Sequence, residues 1–315
     1  MLHLRAVCPP DKTAQALDVL RVHAGTAHLI VHRGAAVSPA GDLLEADIAR
    51  EAADEIVDAL CVLELDRTGG ITLEALDTAL SDAADEAEEA APGEGADAVV
   101  WQELLSRTGE ESRLNVTFLA FLIIACLLAA VGVLTDSAVT IVGAMVVGPE
   151  FGPLAALAVG LVLRRWDLVR QAGAALAIGF PLAIVVTLGG ALLVRVTGVF
   201  GTQAFELKQH NEVDFVFSVG VPSLVVAMLA GAAGMLAMTS AKSAALVGVF
   251  ISVTTVPAAG YAVVAAVAGE WSRCLQSIGQ LLVNLLGIVA AAAVVLIVRR
   301  NGQGSLKELR PLSRG

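Results

Sequence analysis

The chain has 315 residues, of which 57% are apolar and 16% charged, against roughly 45–50% and 25% in ordinary soluble domains. That balance excludes a disordered chain and a single water-soluble globule. Residues 1–112 hold 23 acids and 7 bases, a net of −16, whereas residues 113–315 hold 8 acids and 13 bases, a net of +5. An acidic soluble head therefore precedes a mildly basic, very apolar part, and the head has the wrong sign for a nucleic-acid partner.

Residues 2–7 alternate as a short strand, and Asp11 to Ala24 read as a helix with Ala14, Leu17 and Leu20 on one side. Residues 26–32 alternate again, Ser38-Pro39-Ala40-Gly41-Asp42 is a turn cluster, and residues 43–49 alternate strictly, with Leu44, Ala46 and Ile48 inward and Glu45, Asp47 and Ala49 outward. Residues 51–63 read as a second helix, Gly69-Gly70 breaks it, and Ile71 to Glu74 is a last strand. This β-α-β-β-α-β order predicts a ferredoxin-like α+β domain over residues 1–76, with one sheet face left open. Arg5, His28, His32, Glu45, Asp47 and Glu74 fall on that face, with His3 beside Arg5. His28 and His32, four apart on a strand, stand about 13 Å apart and cannot share a metal without a partner strand. A solvated face or a subunit contact is the expectation, and no metal or cofactor is assigned. The cysteines at 8, 61, 126 and 274 form no Cys-x-x-Cys pair and read as free thiols. Met1 to Arg5 lacks an apolar core of signal-peptide length, so the head is expected not to be secreted.

Residues 77–112 read as an acidic linker and an interfacial helix. Residues 77–97 carry eight acids, no base and Pro92-Gly93, a solvated linker with partial helical character, and Val100, Trp101, Leu104 and Leu105 then share one helical side suited to a membrane surface. A bilayer-spanning helix needs about 20 apolar residues. Residues 113–299 supply six candidates, 114–134, 137–163, 170–195, 213–238, 242–268 and 272–298, followed by a tail over 300–315. Trp101, Trp166 and Trp271 fall at predicted ends. Arg164, Arg165, Arg170, Lys242 and the basic residues after 298 gather on one side. That excess places both termini in the cytoplasm of a bacterial inner membrane.

The second and fifth spans both follow their predecessor across a very short loop and are both interrupted by proline. The six spans thus read as a 3+3 inverted repeat. Paired interrupted helices mark a binding site in many transporters, because broken backbone at membrane depth is tolerated only inside protein or beside a water-filled cavity. The first interruption is Gly148-Pro149-Glu150-Phe151-Gly152-Pro153; the second is Thr254-Thr255-Val256-Pro257, with Gly260 and Tyr261 beyond. Glu150 is the one acid near the middle of a span. Two readings of it stand side by side: it binds a cation or proton opposite Thr254 and Thr255, or it caps the half-helix that starts near Pro153. Asn284 and Gln280 in the last span are weaker candidates, since such groups commonly bond a neighbouring helix.

The stretch opening at Ser137, Ser-Ala-Val-Thr-Ile-Val-Gly-Ala-Met-Val-Val-Gly-Pro-Glu-Phe-Gly-Pro-Leu, resembles the signature of the prokaryotic "uncharacterized hydrophobic protein" family, the domain of unknown function 389. The resemblance covers roughly residues 110–300 and implies the membrane architecture without a substrate. It also implies an apolar residue at the position of Glu150, so the acid is this chain's departure.

The site residues singled out are Gly148, Pro149, Glu150, Gly152, Pro153, Thr254, Thr255, Pro257 and Asn284. The function expected is a transporter or channel for an ion or small solute, with a cytoplasmic regulatory or assembly head. The alternative is a membrane sensor or scaffold whose head binds a small ligand. The chain has no His-Glu-x-x-His, Gly-x-Ser-x-Gly or phosphate-loop motif, so it is not expected to be an enzyme. The expected partners are the lipid bilayer, a small solute or ion and, given the open sheet face, further copies of the same chain.

Overall fold

The computed structural model describes residues 1–76, 78–91, 98–200, 205, 220–240 and 255–308, of which 221 and 302–308 are described by backbone alone. The chain divides into two compact units, one built on Met1–Leu104 and the other on Leu105–Met238 and Ser243–Gly302.

The first unit runs β1 (Leu2–Cys8), α1 (Thr13–Val22), β2 (Thr26–Val37), β3 (Ala40–Ile48), a 3-10 turn at Arg50–Ala52, α2 (Ala53–Val62), α3 (Leu65–Thr68) and β4 (Gly70–Ala75). The strands form one antiparallel sheet in the order β2-β3-β1-β4. Period-two alternation gives each strand one buried face. Leu2, Leu4 and Ala6 of β1 and Leu44, Ala46 and Ile48 of β3 pack with Leu17 and Leu20 of α1 and Ile56 and Leu60 of α2.

Several local details differ from the sequence expectation. β2 continues past residue 32 to Val37, because the hairpin keeps pairing, Ala36 with Gly41 and Val37 with Ala40. Irregularities absorb the non-alternating Arg33-Gly34-Ala35. α1 is shorter than residues 11–24, and the helix expected over 51–63 stops at Val62, with Glu64 in the left-handed region before α3. Ala49 does not face outward; it is fully buried where the chain leaves β3 for the helix layer.

The acid run is not simply a solvated spacer. Asp82–Ala90 forms α4, which lies against β2 and β3. Ala84, Ala87 and Ala91 give this otherwise acidic segment a buried seam at helical spacing. α5 (Trp101–Glu111) follows. Of the side assigned to a membrane surface, Val100 and Leu104 are buried, Val100 within the core of the first unit. Arg50 bonds the Ala98 carbonyl and Glu103, and Asp54 accepts from the Trp101 amide.

The second unit contains α6 (Val116–Leu134), α7 (Ala138–Val147), α8 (Phe151–Val162), α9 (Trp166–Thr197), α10 (Val221–Thr239), α11 (Val256–Ala268) and α12 (Trp271–Glu308). Among the described residues four helices are long and apolar enough to cross a membrane, and α7 with α8, bent by 52° across their break, make a fifth candidate. α9 is unbroken over 32 residues with Pro181 inside it. Leu229, Val185, Leu286 and Val294 lie exposed along these helices, an apolar surface suited to lipid and costly in water. Trp166 and Trp271 open α9 and α12 and are exposed.

α6 is the hub. It packs with α7, α9 and α11 through Phe118, Leu122, Ala125, Cys126 and Ala129. α11 runs beside the second half of α6: Val256, Ala258 and Ala259 cluster with Ala125, Cys126 and Ala129, and Tyr261 to Ala265 with Ala130 to Leu134. At 13 residues α11 is roughly 20 Å long, too short to span a bilayer, and it begins abreast of the centre of α6. The rest of the fifth predicted span, including Thr254, lies outside the described residues.

The approach of α11 to α6 depends on Gly260. A Cβ there stands 2.6 Å from the Ala129 Cβ and 2.9 Å from the Ala130 amide nitrogen. Gly260→Ala is expected to destabilise the membrane unit by about 1–3 kcal/mol through overpacking. Gly189→Ala, which meets no described atom within 4 Å, should not. Thermal unfolding of both variants in the same detergent checks this.

Candidate functional site

α7 stops at Val147 because Pro149 has no N–H and its ring opposes a continuing helix. Gly148 is extended, Glu150 turns back into helical space, and α8 starts at Phe151. Pro153 then sits in the first turn of α8, where its missing N–H leaves no bond unmade. Gly152 is required by contact: a Cβ there stands 2.7 Å from the Cβ of Glu111.

Glu150 is 1% exposed. Its side chain does not cap α8, so the capping role open in the sequence is not the one adopted. Instead Thr255, at the N-cap of α11 and fully buried, donates its hydroxyl to Glu150 Oε1 at 2.5 Å. Pro257 lies in the first turn of α11, again where no N–H is needed. Two residues 105 apart in the chain, singled out at separate breaks, thus form one contact.

A polar seam continues from there. Ser277 on α12 donates to the Ala258 carbonyl at 2.8 Å, one turn beyond Thr255. Gln280 donates through Nε2 to Asn284 Oδ1 at 2.9 Å, and Ser223 of α10 donates to the same oxygen at 3.4 Å. Ser277, Gln280 and Asn284 are all fully buried, at helical spacings of three and four. Gln280 Oε1 is buried with no hydrogen-bond partner among the described residues. Ser277 and Ser223 escaped sequence reasoning. The legible signal was the Ser-x-x-Gln-x-x-x-Asn spacing, which puts three polar groups on one face of an otherwise apolar helix.

A cleft of about 400 Å³ reaches the break from the other side. Gly148, Pro149, Phe151 and Gly152 line it together with Phe118 and Phe121 of α6 and the charged end of α5. There Arg107 pairs with Glu111 at 3.1 Å beside Glu110. Neither Glu150 nor Thr255 lines the cleft, so the carboxylate turns away from it into the packed interior.

The head holds a second cluster. Asp47 bridges His3 Nδ1 at 2.8 Å and His28 Nδ1 at 2.7 Å, and His28 Nε2 meets Ser81 Oγ at 2.8 Å. A bulge between Ala27 and Ile30 and a positive φ at His28 aim that ring at Asp47. His32 instead meets Glu45 at 3.5 Å. Burial works against ionisation of Asp47, but the hydrogen bonds to His3 and His28 outweigh it and hold its carboxyl below the ordinary aspartate range. Asp42 is held low by the Gly34 amide first, then by the Thr13 hydroxyl and Arg33.

The fold and site define an α-helical membrane protein with a small α+β head. Residues 145–290, just under half of the chain, match the family model described as Domain of unknown function (DUF389). This is the family its sequence resembles. No curated protein and no solved structure matches the chain.

Because Asp47 and Asp42 are depressed in the folded state, the stability they contribute is present above the ordinary aspartate range and is lost as pH falls through their lowered values. Asp47→Asn should therefore loosen β2 and β3 at neutral pH, and its difference from wild type should shrink towards zero in acid. Amide hydrogen exchange of the full-length protein, followed against pH, checks this.

Proposed function

We propose that the membrane unit is a transporter or channel for an ion or small solute, acting where the α7–α8 break meets the start of α11. One observation carries this reading. A short helix begins beside the centre of a full-length one, and its first residue holds a buried carboxylate from an interrupted neighbour. Broken helices with buried polar groups at membrane depth are the usual construction of solute sites. The cleft ending at Gly148–Pro149 and the buried Ser277-Gln280-Asn284 seam add support.

Six spans in a 3+3 inverted repeat complete the architecture. Helix ends sort into two groups in support. Met238 at the end of α10 shares the cleft with Asn115 at the start of α6, and Arg300 of α12 bonds the Val162 carbonyl near the start of α9. At the other side Arg195, ending α9, bonds the Val267 carbonyl, ending α11. With the basic loops inward, both termini are cytoplasmic in a bacterial inner membrane. The head, a ferredoxin-like sandwich by its element and strand order, serves regulation or homo-oligomer assembly.

The sensor reading draws on the head, where Asp47, His3, His28 and Ser81 form a polar cluster beside α4. Flux from proteoliposomes across a panel of ions and small metabolites separates the two. Wild-type protein should pass at least one solute. Thr255→Val removes a hydrogen bond to a charged group, worth roughly 1.5–3 kcal/mol, and should reduce flux about ten- to a hundredfold. Pro257→Ala should weaken flux less. If every solute is retained while the head binds a ligand, the sensor reading replaces transport.

A further inference from the structure

Resting on the transport reading above, we infer that Glu150 is a proton-binding site loaded from the cleft at Gly148–Gly152, and that solute movement through the membrane unit is coupled to protons. Glu150 is the one buried charged side chain among the described residues of the membrane unit. An ionised carboxylate buried in a membrane protein is costly, and neutralisation by a proton removes most of that cost.

The geometry speaks against a metal ion at this contact. Thr255 Oγ1 and Glu150 Oε1 are 2.5 Å apart, the spacing of two oxygens that share a hydrogen. Even Mg²⁺, with oxygens at roughly 2.0–2.1 Å in octahedral array, spreads adjacent ligands to about 3 Å, and larger cations spread them further. The short contact is the Thr255 hydroxyl's own hydrogen bond, and it excludes a cation seated between these two oxygens; the coupling proton is one that Glu150 itself takes up when it leaves that bond for the cleft.

Access is short. Gly148 and Pro149 before Glu150, and Phe151 and Gly152 after it, line a cleft of about 400 Å³, room for several waters at roughly 30 Å³ each. A change of rotamer at Glu150 exchanges Thr255 for the cleft and carries the proton between water and the packed interior. The titratable groups buried on the helices packed around it are Cys126 on α6, Tyr261 on α11 and Cys274 on α12. On the cleft side stand Arg107, Glu110 and Glu111. The described parts of α7, α8 and α10 bring no charged residue, and those of α9 and α12 carry theirs near their ends.

The test has two arms on the full-length protein in liposomes. In the first, infrared difference spectra are recorded against pH with glutamate isotopically labelled. A protonated-carboxyl band that titrates reversibly, is lost in Glu150→Gln and is displaced in Thr255→Val is expected. In the second, trapped pyranine reports proton movement while valinomycin sets the voltage, in parallel with the solute panel. Solute flux should acidify or alkalinise the lumen, and Glu150→Gln should cut proton movement at least tenfold. Thr255→Val keeps the carboxyl and serves where Glu150→Gln fails to fold. Absence of a titrating Glu150 band, or solute flux without proton movement, overturns the inference and leaves transport standing. A titrating band with neither solute nor proton flux overturns both the coupling and the transport reading.

Discussion

A peptide group inside hydrocarbon must find its hydrogen-bond partner within the protein, and this constraint shapes the membrane unit. At Gly148–Pro153 the chain meets it in part by placing Pro153 in the first turn of α8, where no carbonyl waits for its missing N–H. It meets it again at the start of α11, with Pro257 in the first turn. α8 begins directly after Glu150 and α11 directly after Thr255, so two positive helix ends adjoin one carboxylate. The Thr255 hydroxyl completes the arrangement. The interaction does two things at once. It offsets the burial of an acid, and it pins the beginning of a short helix against the interruption of another.

That junction holds its depth because α6 is continuous. Nineteen uninterrupted residues, capped by Asn115 accepting from the Phe118 amide, give a straight reference against which α11 is half-length. Small side chains at Ala129 and Ala130, beside Gly260, let the two backbones approach. Lipid offers no hydrophobic gain for helix association, so close packing of this kind carries the contact.

Legibility in the sequence followed the range of the interaction that decides each feature. The α7–α8 break was readable because Gly148, Pro149, Gly152 and Pro153 forbid a helix locally. The strand faces of the head were readable from alternation at Leu44, Ala46 and Ile48. β2 beyond His32 was not, because Arg33-Gly34-Ala35-Ala36 carries no alternation and only pairing with β3 extends the strand. α4 was legible only as partial helix in an acidic linker, and its docking on β2 and β3 was not, because Ala84 and Ala87 supply a seam too small to stand out. The choice between capping and pairing at Glu150 could not be read locally at all, since its partner lies 105 residues away. What the sequence did offer was two interruptions at matching places, and the structure joins them through Glu150 and Thr255.

The span of the matched family domain sharpens what belongs with what. Residues 145–290 begin inside the last turn of α7 and take in the break, α8, α9, α10, α11 and the polar face of α12 as far as Asn284. The head and α6 fall before it. Yet to the packing around the junction α6 contributes only apolar and weakly polar surface, Leu122, Ala125, Cys126 and Ala129. Every strongly polar group in the seam, from Glu150 through Thr255, Ser277 and Gln280 to Asn284 and Ser223, lies within the matched stretch. The buried polar groups therefore gather in that stretch. α6 acts as the wall it is built against, and the head, with its own core and its own acid–histidine cluster, is a separate structural element joined through α5.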